Sequence, residues 1–134
     1  MDNLTAYRAI KAHFEQPDAR LSKSPDGDCY YRCPCDFSEN DTYPELPRRD
    51  EKCSVGVIIP DDVYEHLMDT QGAVEGTSAS DVLKSAAGLV MVGNLFDELD
   101  GNFLDDVQNA HDGSNRVSEF LVLLDQVAAK HGVI

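Results

Sequence analysis

Between residues 61 and 113 the chain sets twelve carboxylates, Asp61, Asp62, Glu65, Asp69, Glu75, Asp81, Asp97, Glu98, Asp100, Asp105, Asp106 and Asp112, against one basic residue, Lys84. The local balance is −11, most of the −14 carried by all 134 residues. Unpaired burial of a carboxylate costs several kcal/mol or more, so these side chains must lie mostly at the surface. The apolar residues between them must then gather on the opposite faces of short amphipathic elements. The polarity is regional: residues 1–60 hold 11 acidic and 8 basic side chains, and residues 114–134 hold two of each. One part of the surface is therefore expected to be strongly negative. Such a face serves either solubility or recognition of a basic partner.

Apolar spacing predicts about five helices. Leu4, Tyr7, Ile10 and Phe14 form one stripe, with Asp2 or Asn3 as N-cap and Pro17 beyond its end. Pro60 suits a first helical position, and Asp61 and Asp62 suit the first turn of a helix bearing Val63, Tyr64, Leu67 and Met68. Ser78 or Ser80 can cap a third helix through Val82, Leu83, Ala86 and Ala87, stopped by Gly88. Leu95, Phe96 and Leu99 read as helical up to Asp100-Gly101. Asn102 then caps a helix with Phe103, Leu104, Val107, Ala110 and His111 on one face, ended by Asp112-Gly113. Val117, Phe120, Leu121, Leu124, Val127 and Ala128 make the last, closed by Gly132. Leu89 to Val92 is too short for periodicity to decide.

Two runs are rich in β-formers: Cys29 to Arg32, and Cys53 to Ile59. They read as antiparallel strands joined by the long loop Cys33 to Lys52, twenty residues with Pro34, Pro44 and Pro47 and no apolar period. A loop of that length is usually functional, disordered or tied down. The expected fold is α+β: a small antiparallel hairpin of two or three strands packed against about five helices. At this length the chain reads as a single domain, 1–134, and 42% hydrophobic residues suffice for a core.

The longest nearly apolar run, Ala86 to Gly93, falls well short of the ~20 residues a membrane-spanning helix needs. The first residues lack the basic and apolar regions of a secretory signal. A cytoplasmic protein with cysteines present as thiols or metal ligands is expected. So acidic a chain is repelled by phosphate backbones and anionic lipid, which argues against direct nucleic-acid binding and leaves basic partners open.

The order Gly27-Asp28-Cys29-Tyr30-Tyr31-Arg32, then Lys52-Cys53-Ser54-Val55-Gly56-Val57-Ile58-Ile59-Pro60-Asp61-Asp62-Val63-Tyr64, Val74-Glu75-Gly76, and Phe103 through Asp112, carries a resemblance. It is similar to a group of small, uncharacterised proteins of tailed phages and prophages with the pattern C-x-Y-R, K-C-x-I-G-x-L-I-P-D-x-x-Y, E-G and L-Q-x-x-H-D. The likeness spans about residues 27 to 133. It implies a phage-encoded protein acting in a host cell, where small non-structural phage proteins often bind and redirect a host protein. The resemblance points to no particular activity. The family's loop is short and lacks counterparts of Cys33 and Cys35, so any role of those two is particular to this chain.

Three constellations bear chemistry. Cys29, Cys33, Cys35 and Cys53 offer four thiolates in the expected hairpin, the number that tetrahedral zinc takes. A zinc site would order the long loop. Against it, the C-x2-C spacing is absent, and cysteine is often buried as a small hydrophobe. His111-Asp112, with His66 and Asp125, suggests a metal-dependent phosphohydrolase; the competing reading is a helix-ending turn with His111 at the helix C-terminus. Asp97-Glu98-Leu99-Asp100-Gly101-Asn102 fails as a calcium loop, because the first and twelfth positions fall on Phe96 and Val107. Phosphate-binding glycine loops and a nucleophile elbow are absent.

These features give three expectations. The first is a non-enzymatic modulator or inhibitor of host defence or nucleic-acid-processing machinery. It would dock an acidic, DNA-mimicking surface of Asp97, Glu98, Asp100, Asp105 and Asp106 on a basic host protein and need no cofactor. The second is a small metal-dependent hydrolase using His111 and Asp112. The third is a zinc-stabilised adaptor whose loop 33–52 is the contact surface.

Overall fold

The computed structural model describes residues 1–17, 19, 21, 54–71, 79–87, 93 and 95–134, and all that follows concerns these. They form five helices: α1 (Asn3–Phe14), α2 (Asp61–Gln71), α3 (Ala79–Ala87), α4 (Gly101–Asp112) and α5 (Val117–Lys130), with a 3-10 turn at Gly56–Ile58 ahead of α2.

The expected α+β hairpin is overturned. No strand occurs among the described residues, and only an isolated bridge joins Asp2 to Glu98. Of the two runs read as strands, Cys29 to Arg32 lies outside the described residues, as do the loop 33–52 and all four cysteines. The other is described from Ser54 onward and folds as a turn and a 3-10 helix, with the Ile58 N–H donating to the Val55 carbonyl at 3.1 Å. The reason lies in burial. Ser54, Val55, Gly56, Ile58 and Ile59 are all buried, without the in-out alternation of a half-exposed strand. β-propensity reports fit to a pleated surface, and a short apolar run fits a buried turn as well.

The helices follow the sequence stripes closely. In α1, Ala6, Tyr7, Ile10 and Phe14 are buried. In α4 the buried residues are Phe103, Leu104, Val107, Ala110 and His111, a broad apolar face on a helix that packs against both α3 and α5. In α5 they are Phe120, Leu124 and Ala128. Val63 and Leu67 anchor α2, and Val82 anchors α3. Phe14, Phe103 and Phe120 are essentially sealed, and burying each stabilises the fold by about 1.5–3 kcal/mol relative to exposure. Phe14 and Phe120 meet edge to face, centroids 4.9 Å apart, locking α1 to α5.

Two local readings are corrected. Leu95, Phe96 and Leu99 lie in turns and extended chain, with the Leu99 N–H donating to the Phe96 carbonyl. The N-cap of α4 is Asp100, not Asn102: its side chain accepts from the Asn102 N–H at 2.9 Å. At the other end of the chain Gly132 has φ +70°, the left-handed conformation that closes α5 and that favours glycine.

Candidate functional site

The N-termini of α1, α3 and α4 meet. Asp2 bridges to Glu98, and the Asn3 side-chain carbonyl accepts from the Asp100 N–H at 2.9 Å. Gly101 stands so close to α3 that a Cβ there would come within 3.0 Å of the Ser80 Cβ. Every helix N-terminus carries N–H groups without intrahelical acceptors and a partial positive charge. Here each is met by a carboxylate. Asp2 accepts from the Thr5 N–H at 2.8 Å and Asp100 from the Asn102 N–H, while Asp105, reaching across from the second turn of α4, accepts from the Ser80 N–H at 2.8 Å. Hydrogen bonding from Thr5 holds the Asp2 carboxyl below its ordinary range.

This arrangement divides the five expected contact residues. Asp100 and Asp105 serve caps. Asp106 accepts from His131 Nε2 at 2.7 Å and from Lys130 Nζ at 3.3 Å, which ties the C-terminal end of α5 to α4. The hydrogen bond from His131 is the main cause that keeps the Asp106 carboxyl low, with Lys130 adding to it against the effect of burial. His131 also packs edge to face on Phe103, centroids 5.5 Å apart. Asp97 and Glu98 remain: both are exposed, and neither side chain makes a hydrogen bond or ion pair among the described residues. Asp61, Asp62 and Glu65 on α2 and Asp81 in the first turn of α3 are also exposed. The regional acidity thus combines carboxylates that cap converging helices, Asp106 tied to His131 and Lys130, and exposed carboxylates such as Asp97 and Glu98 next to the Asp100 cap.

His111 and Asp112 sit at the far end of α4. His111 is fully buried and meets Phe14 and Phe120 edge to face, at 5.9 and 5.7 Å between centroids. Its Nδ1 lies 3.1 Å from Asp112 Oδ1, which also accepts from Gln108 Nε2 at 2.7 Å. The Gln108 Oε1 in turn accepts from the Ser54 hydroxyl at 3.1 Å and the Val55 N–H at 3.3 Å. The network pins the 54–59 turn to α4. Of the two other residues nominated for a hydrolase, His66 is exposed on α2 and Asp125 is held on α5 by Tyr7 and Lys11. Among the described residues no three His, Cys, Asp or Glu side chains are grouped to hold a metal ion. The zinc reading falls on Cys29, Cys33, Cys35 and Cys53, outside the described residues.

Asp125 instead accepts from the Tyr7 hydroxyl at 2.6 Å and from Lys11 Nζ at 3.2 Å, joining α1 to α5. The Tyr7 bond is the chief cause that lowers the Asp125 carboxyl, and the same bond raises the Tyr7 hydroxyl. An apolar hollow lined by Val55, Ile58, Ile59, Val82, Leu83, Phe96 and Leu104 has room for about one water at most.

Sequence reasoning missed the Asp105–Ser80 cap, the Asp2–Glu98 bridge and the Ser54–Gln108 contact. All join residues far apart in the chain. The Gln108–Asp112 pair, four residues apart on one helix, did carry a local signal.

Compared with known protein families, curated proteins and solved structures, the chain matches none.

Proposed function

We propose that the protein is a non-enzymatic modulator that binds a basic host protein through the acidic end where α1, α3 and α4 begin. The resemblance to phage proteins supplies the setting, the cytoplasm of a host cell. Among the described residues no helix is long and apolar enough to cross a membrane. The observation that carries the reading is the position of Asp97 and Glu98: exposed, unengaged among the described residues, and beside the capping carboxylates Asp2 and Asp100. Carboxylates grouped in this way attract the Lys and Arg side chains that otherwise hold phosphates, and so compete with DNA for a nucleic-acid-processing or defence protein. Asp97 and Glu98 are the contact residues; Asp100, Asp105 and Asp106 shape the surface that presents them.

The test is capture from host extract on immobilised protein at low and at high salt, followed by DNA competition with whatever is retained. Salt-sensitive capture of a basic protein whose DNA binding falls as this protein is added supports the reading. Capture that persists at high salt and leaves DNA binding untouched contradicts it.

A further inference from the structure

We draw no further inference here: the strongest candidate, the polar network of the buried His111 with Asp112, Gln108 and Ser54 where the C-terminal end of α4 meets the 54–59 turn, belongs to the contacts already described, and nothing in the structure shows a ligand that it would take.

Discussion

Asp105 gives the sharpest stability prediction, because one carboxylate on α4 caps a different helix. Its Oδ1 accepts from the Ser80 N–H at 2.8 Å, and the side chain is half-buried. Asp105→Ala removes the acceptor and leaves an N–H at the start of α3 without it. Losing a capping side chain costs about 0.5–2 kcal/mol, and stranding a buried donor costs about 1–3 kcal/mol. Ser80 is itself only half-buried, so the lower range applies and a loss of about 1–1.5 kcal/mol is expected. For a chain of this length that lowers the Tm by roughly 3–6 °C. Asp105→Asn keeps a carbonyl oxygen and loses only the charge near the dipole, a cost of about 0.3–1 kcal/mol. Asp97→Ala, on an exposed side chain without partners among the described residues, should stay within about 0.5 kcal/mol of wild type. Urea unfolding followed by far-ultraviolet circular dichroism resolves these differences. If Asp105→Ala and Asp97→Ala unfold at the same midpoint, the division between capping and surface carboxylates is wrong.

Three further outcomes follow from the packing. Phe120→Ala, which opens the aromatic contact among Phe14, His111 and Phe120, should cost about 3–5 kcal/mol in the same unfolding assay; a loss below about 1 kcal/mol would mean that this contact does not hold α1 to α5. Gln108→Leu should destabilise by about 1–3 kcal/mol, since the Ser54 hydroxyl and Val55 N–H both lose their acceptor, and amide exchange at Val55 should quicken. Asp106 and Asp125 have folded carboxyls lowered from 3.8, so their contribution is present above that value and disappears as pH falls through the lowered values. Asp106→Asn together with Asp125→Asn should therefore flatten the acid limb of stability against pH, and an unchanged limb would refute the assignment.

What the sequence made legible was local. The stripes of α1, α4 and α5 follow from residues three or four apart and the start of α2 from the adjacent Asp61 and Asp62, and the helices form at those positions. The 54–59 segment misled because its valines and isoleucines satisfy a strand and a buried turn equally. What separates the two readings is a glutamine more than fifty residues away that captures Ser54 and Val55. The acidic cluster was visible as composition, yet its internal division was not. Asp105 and Asp106 are neighbours in the chain, one bound to Ser80 and the other to His131, and only the packing of α3 and α5 on α4 distinguishes them from Asp97.

The central claim is that a particular acidic end, and not net charge alone, makes the contact. Two charge-matched variants test it: Asp97→Lys with Glu98→Lys at the proposed surface, and Glu15→Lys with Glu119→Lys at exposed positions just past the C-terminal end of α1 and in the first turn of α5. Both pairs replace two carboxylates by two ammonium groups. In parallel capture from host extract at low salt, the account predicts that the first variant loses the basic partner while the second retains it. Equal retention by both, or equal loss by both, would contradict it.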